Sequence, residues 1–195
     1  MTETVTSPDV RGGRGARERI LNAATTLFYR VGIHATGVER LTQEAHVSKR
    51  TFYQHFPSKS DLVEQYLRRI DAAGGSPYER ALDTTDATPR NRLLAIFEPM
   101  PTGRFRGCPF HNASVESAGE LTAVDELVRD HKLMFVERLT TVAAAAGATD
   151  PSRLGHQLAV LFDGGNALAT SLNDQAPLVY ARSAAEALID AAITG

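Results

Sequence analysis

The chain is almost without cysteine: of its 195 residues only Cys108 is one. No internal disulfide can form, so a packed core must supply the stability, and a chain of this length can bury one. A reducing compartment is the expected setting. Long apolar runs are missing as well. Charges interrupt each run well before the roughly 18 residues that suggest a spanning helix, so no membrane association is expected. The first ten residues, Met-Thr-Glu-Thr-Val-Thr-Ser-Pro-Asp-Val, lack the basic start and apolar stretch of a secretory signal. The expectation is a soluble, cytoplasmic protein. Alternating strand patterns and Asn-Gly hairpin turns are absent too, which points to an all-α fold. A phosphate-binding glycine loop, a nucleophile elbow and a His-Glu-x-x-His zinc motif are likewise not found. The chain reads as a non-enzyme with no cofactor and no metal.

What is present is an uneven charge distribution. The net charge is only -2, yet Arg11 to Lys59 carries nine Lys or Arg against three acids, while the remainder from Ser60 carries 12 basic and 18 acidic residues. A basic head on an acidic body suits a protein that docks one end on phosphate.

Helical periodicity organises the rest. Residues 1–14 are polar and Gly-rich and read as a flexible arm, on which Arg11 and Arg14, together with Arg17, either follow the minor groove or serve only as solubilising charges. Ile20, Ala24, Leu27, Phe28 and Val31 mark one face of a first helix from about Ala16, with Gly32 as its stop. A second helix begins at Thr36 or Gly37 and buries Val38, Leu41 and Ala45. His46 then stands where a tight turn needs positive φ. Ser48 caps a third helix, Lys49 to Phe56, whose Phe52 and Phe56 face inward, and Pro57 ends it. Ser58-Lys59-Ser60-Asp61 opens a fourth helix, with Leu62, Val63, Tyr66, Leu67 and Ile70 inward, which runs to the Gly74-Gly75-Ser76-Pro77 hinge. Further helices follow: one opened by Thr88-Pro89, a short one from Phe110 to Ser117, and a long one carrying Leu121, Val124, Val128, His131, Phe135, Leu139 and Val142. The last two start at Asp150-Pro151 and Pro177. The first of them is expected to turn Leu154, Leu158, Leu161, Gly165, Leu168 and Leu172 along one buried stripe. The second carries Leu178, Ala181, Ala185, Leu188 and Ala192. Residues 15–60 are taken as one domain and 61–195 as another.

Two short helices joined by a tight turn, the second loaded with cations and hydrogen-bonding groups, have the layout of a DNA-binding helix-turn-helix. The order Val-Ser-Lys-Arg-Thr-Phe-Tyr-Gln-His-Phe-Pro-Ser-Lys-Ser-Asp-Leu, preceded by Ala-Thr-Gly-Val, resembles the N-terminal domain of TetR/AcrR-family transcriptional regulators over Arg17 to about Leu67. His46 departs from the family's usual Gly. Gly-Cys-Pro-Phe-His-Asn-Ala, His131-Lys132 and Leu-Phe-Asp-Gly-Gly also resemble one group within that family. On the third helix, Lys49, Arg50, Thr51 and Gln54 lie opposite Phe52 and Phe56 and are the candidates for base edges: Lys or Arg toward guanine, Gln toward adenine, the Thr methyl toward thymine. Tyr53, His55, Lys59 and Thr36 are placed for phosphate, as the resemblance also implies. Ser48 is divided between cap and phosphate contact.

The resemblance implies a homodimer whose last two helices pair into a four-helix bundle, and Gly164, Gly165, Ala167 and Ala169 would allow close approach there. It implies an unknown small-molecule effector bound among the C-terminal helices. Phe97, Phe105, Phe110, Met134 and Phe162 are the candidate walls of that site; Cys108, His111, Asn112, His131, Asp163 and Asn166 are its candidate polar points. Each has a structural counterpart reading: aromatics as ordinary core, His131 as a satisfied core histidine, Cys108 as a buried inert thiol. The functional expectation is a homodimeric DNA-binding regulator, a repressor released from its operator by effector. The alternatives are a redox- or metal-responsive regulator acting through Cys108 and a ligand-independent DNA binder.

Overall fold

The computed structural model describes residues 15–99, 105–117 and 119–194. The arm, with Arg11 and Arg14, lies outside the described residues. Among those described there is no strand. The order is α1 (Ala16–Arg30), α2 (Val38–Glu44), α3 (Lys49–His55), α4 (Lys59–Ala72), α5 (Pro77–Arg80), a 3-10 turn (Ala81–Asp83), α6 (Pro89–Ala95), α7 (Pro109–Ser117), α8 (Thr122–Ala145), α9 (Pro151–Leu172) and α10 (Ala176–Thr194). The chain divides into two compact units, one through Val63 and one from Glu64.

In the first unit the apolar faces of α1, α2 and α3 converge. Ile20, Ala24, Leu27 and Phe28 of α1 meet Leu41, Ala45, Phe52 and Phe56, all buried. Arg19 Nε donates to the Ala45 carbonyl at 3.1 Å, tying α1 to the end of α2. Gly37 rather than Thr36 is the N-cap residue of α2, and Val38 at its first position is only half-buried.

In the second unit α8 packs on α9, and α9 on α10. Gly155 permits the first contact: a Cβ there would lie 2.4 Å from Thr140 Oγ1 and 2.9 Å from its backbone nitrogen. The core joins Tyr78, Leu82, Leu93, Leu94, Phe97, Phe105, Phe135, Leu139, Phe162, Leu178 and Ile189.

Two expectations are corrected here. The Gly74-Gly75-Ser76-Pro77 tract is more than a hinge. Both glycines have positive φ, +85° and +88°, but Ser76 immediately caps α5 through a reciprocal capping box with Glu79. The second concerns α9. Leu168 and Leu172 are 52% and 60% exposed, and Phe162, Asn166 and Ala169 take the buried line instead. At 3.6 residues per turn the buried positions, Leu154, Gly155, Leu158, Phe162, Gly165, Asn166 and Ala169, centre roughly 60° around the helix from the expected stripe. Leu168 therefore falls on the outer side, and Leu172 at the edge of the buried face in the final turn.

Candidate nucleic-acid interface and effector site

α3 is an amphipathic helix of seven residues. Phe52 and Phe56 are buried, with ring centroids 6.0 Å apart. Their opposite side exposes Lys49, Arg50 and Gln54, with Thr51 and His55 half-buried. Tyr53 is 52% exposed although its ring stands edge-on to Phe52, so it is not a core residue. Ser48 Oγ accepts the Thr51 N–H at 3.0 Å and lies 2.9 Å from Thr51 Oγ1, fixing the first turn. The turn before it carries His46 at φ +51°, a conformation Gly meets more readily. Phe56 leaves the helix with extended backbone before Pro57, as a residue preceding proline should.

Lys59 Nζ donates to the His34 carbonyl at 3.4 Å, at the N-terminus of α4. The Arg17 guanidinium carbon lies 5.4 Å from the Phe56 ring centroid, a cation–π contact. Thr36 requires correction. It is fully buried and its hydroxyl donates to the Gly32 carbonyl at 2.6 Å, closing the α1–α2 connection rather than facing a phosphate.

The candidate effector residues separate into three groups. Phe97, Phe105 and Phe162 meet in the core, where Tyr78 stands edge-on to both Phe105 and Phe162 at 6.2 Å and Phe97 lies 6.1 Å from Phe162. Asn166 is buried beside them, its amide donating to the Phe162 carbonyl at 2.8 Å. Cys108 belongs to a second group with Lys132, whose Nζ is 3.7 Å from Sγ and 2.6 Å from Asp163 Oδ1. Burial pushes the Cys108 thiol up, with Lys132 opposing. Lys132 is held above the usual lysine range because Cys108 and Asp163 outweigh its own desolvation. Asn112 is half-buried and donates to the Arg106 carbonyl at 2.6 Å. His111 is half-buried, and its carbonyl accepts from Ser114 Oγ.

His131 and Phe110 form the third group. The imidazole is buried and stacked on Phe110, with centroids 3.4 Å apart and planes 5° from parallel. Its Nδ1 lies 2.7 Å from Asp71 Oδ1 and its Nε2 3.0 Å from Glu79 Oε1. Glu79 is fully buried, and its other carboxylate oxygen accepts the Ser76 N–H. Burial would raise the Glu79 pKa; the hydrogen bond and charge of His131, with the Ser76 bonds, hold it below the usual range instead. Arg138 donates to the Gly74 and Glu79 carbonyls at 3.1 and 2.9 Å and pairs with Asp83 at 2.9 Å. Met134 is corrected: it is 54% exposed, and lines two adjoining surface clefts of about 320 and 150 Å³ with Asp83 and Arg138. On α8 it stands one residue before the buried Phe135, so its side chain turns off the core line.

The family model of bacterial regulatory proteins, tetR family, matches residues 20–66. The crystal structure of Sav143, a TetR-type transcriptional regulator of Streptomyces avermitilis, is 33% identical with a TM-score of 0.75, covering 91% of this chain and 97% of that one. The chain belongs to the TetR family. Its curated relatives are matched over shorter stretches. The transcriptional activator FasR of Mycolicibacterium smegmatis is 38% identical over 92 residues, 45% of this chain and 42% of FasR. The repressor KstR2 of the same organism is 34% identical over 82 residues, 42% of this chain and 39% of KstR2. The chain thus spans less than half the length of these relatives.

Within this TetR-family fold, sequence reasoning passed over Asp71, Glu79 and Arg138, which hold the C-terminal polar groups together, and gave Lys132 no role beyond the resemblance. Glu79 had a readable signal, since Ser76-x-x-Glu79 is a capping-box spacing. Asp71 and Arg138 had none, because an acid and a base on helical faces look like solvated surface until their partners arrive from elsewhere in the chain. No described helix is long and apolar enough to cross a membrane, and no group of three or more His, Cys, Asp or Glu among the described residues is placed to hold a metal.

Proposed function

We propose that this chain is a homodimeric transcriptional regulator that grips operator DNA with α3 and releases it when a small molecule binds the C-terminal unit. The observation that carries the reading is the capped, outward face of α3, where Lys49, Arg50 and Gln54 are exposed while Phe52 and Phe56 anchor the helix. Lys49, Arg50, Thr51 and Gln54 read base edges; Tyr53, His55, Lys59 and Ser48 hold phosphates. Residues 15–60 form the reader, and 61–195 the effector-binding and dimerising part. Function lies in binding rather than catalysis.

The dimer rests on an exposed apolar strip on the last two helices. Val160, Leu168 and Leu172 of α9 and Val179 and Tyr180 of α10 are each at least half exposed. Val160, Gly164, Leu168 and Leu172 recur every four residues, the pattern of a face made for another helix. A twofold pair presents two recognition helices to half-sites about 34–36 Å apart. The effector binds among the C-terminal residues, with Phe97, Phe105, Phe110 and Phe162 as apolar walls and Cys108, His111, Asn112, His131 and Asn166 as polar points. Repression is the default output. To move the population from 99:1 to 1:99 the effector must favour the released state by roughly 5.5 kcal/mol, and operator must weaken effector binding by the same factor. The redox alternative draws no support from a thiol that is buried and pushed up.

The test selects duplexes from a random-sequence pool with the full chain, then measures their retention and the oligomeric state in solution. A specific duplex held by a dimer is expected. A chain that retards no duplex at low ionic strength, or that stays a single subunit when concentrated, overturns the reading.

A further inference from the structure

Two hydrogen-bond lines meet on one imidazole: Nδ1 to Asp71 at 2.7 Å and Nε2 to Glu79 at 3.0 Å. Each line needs a hydrogen, and a neutral imidazole carries only one. Both Glu79 oxygens are placed as acceptors, Oε2 from the Ser76 N–H and Oε1 facing the ring; burial would raise its pKa, but the His131 and Ser76 bonds hold it below the usual carboxylate range. The ring is then the place for both protons, and its parallel stack on Phe110 is an arrangement a cation favours. We propose that His131 is a proton-operated latch, its doubly protonated ring fastening the end of α4 to α8.

The two arms are unequal. Glu79 is fully buried and is also bonded by the Ser76 N–H, within a capping box. Asp71 keeps 32% of its side chain exposed and can turn to water. When one proton leaves, the remaining N–H stays with Glu79 on Nε2, because a buried carboxylate without a donor is the costlier loss. Nδ1 then turns a lone pair to Asp71, and the α4 end is let go. The groups facing this ring are Asp71 from α4, Glu79 from α5 and the Phe110 ring from α7. Arg138, on α8 itself, reaches the Gly74 and Glu79 carbonyls, and the Glu79 charge in turn raises both Lys132 and Cys108. The amides that report the latch are Ala73 and Gly75, both bonded to the Ile70 carbonyl, and Gly74, bonded to that of Asp71.

The consequence for DNA rests on the reading given under Proposed function, so the test has separate arms. Ring nitrogen resonances of the full chain, assigned with His131→Gln, are followed from acid to alkaline pH, alongside hydrogen-exchange protection at residues 73–75. Expected are two ring N–H groups at the acid end and Nε2–H alone at the alkaline end. Protection should fall about tenfold between them, the factor carried by one charge-assisted bond of roughly 1.4 kcal/mol. Asp71→Ala, which removes the acceptor at a partly exposed site, should show low protection throughout. A ring that is neutral at the acid end, or protection that stays level through its titration, overturns the latch. In the DNA arm, affinity for a selected duplex should fall over the same pH interval in the wild type and stay flat in His131→Gln. A wild type that is flat while its ring titrates refutes the coupling. A chain that binds no duplex at any pH sinks the DNA reading alone, since the ring and exchange measurements still decide the latch.

Discussion

Substitutions at Ser48 separate the observed cap of α3 from the proposed phosphate contact. The Ser48 hydroxyl accepts the Thr51 N–H at 3.0 Å, satisfying one of the orphan donors of a helix only seven residues long. Ser48→Ala removes that acceptor and should cost about 1 kcal/mol, within the usual range of roughly 0.5–2, or about fivefold in the folded-to-unfolded ratio. Ser48→Asp keeps a capping oxygen and adds an anion where the helix dipole favours one, so stability should match the wild type or exceed it. On DNA the order reverses. A carboxylate ~4 Å from a phosphate is repelled by between about 1 and 4 kcal/mol, depending on local screening. Ser48→Asp should therefore lose at least about fivefold in affinity and Ser48→Ala less. Urea melts read the first comparison, and fluorescence anisotropy on a selected duplex at fixed salt reads the second. If Ser48→Ala melts with the wild type, the cap is wrong. If Ser48→Asp binds as tightly as the wild type, the start of α3 does not face phosphate.

Other expectations follow the same logic. Lys59→Ala should weaken binding to all sequences alike and lower the salt slope by about 0.9, whereas Gln54→Ala should relax preference at one base pair at a cost of roughly 1–3 kcal/mol; indistinguishable profiles would refute the division between anchoring and readout. Leu168 is 52% exposed in the monomer, so Leu168→Glu should leave its unfolding unchanged yet dissociate the proposed dimer in sedimentation equilibrium, and a persistent dimer would place the interface elsewhere. Glu79 has its pKa lowered in the folded state. The stability it contributes is therefore present above the unfolded carboxyl value and lost as pH falls through the folded one; acid melts of Glu79→Gln should lack that component. Cys108 is buried with its thiol pushed up, so alkylation at mildly alkaline pH should be slow in the native chain and rapid in denaturant; fast native labelling would contradict its burial.

The helix-turn-helix was legible because its signals are local. Ser48 as cap, Phe52 and Phe56 four apart, Pro57 as terminator and His46 at the turn act within a few residues of one another. The structure places the backbone features where those residues imply. Thr36 was misread because its hydroxyl is claimed by a carbonyl four residues earlier, a turn-level choice that residue type does not announce. Met134 was misplaced because apolar character does not say which side of a helix a residue occupies next to Phe135.

The C-terminal half shows the limit more clearly. Periodicity located α8, α9 and α10 and their starts at prolines and caps, yet the buried side of α9 depended on how a helix of 3.6 residues per turn lies against two neighbours. Family, fold class and the start and stop of α3 are written into the linear order, since capping, period and proline geometry act over a single turn. The Asp71–His131–Glu79 bridge joins residues 60 and 52 positions apart. Only the folding of α8 against the α4–α5 segment decides that they meet, because desolvation and hydrogen bonding act through space and leave no period in the chain.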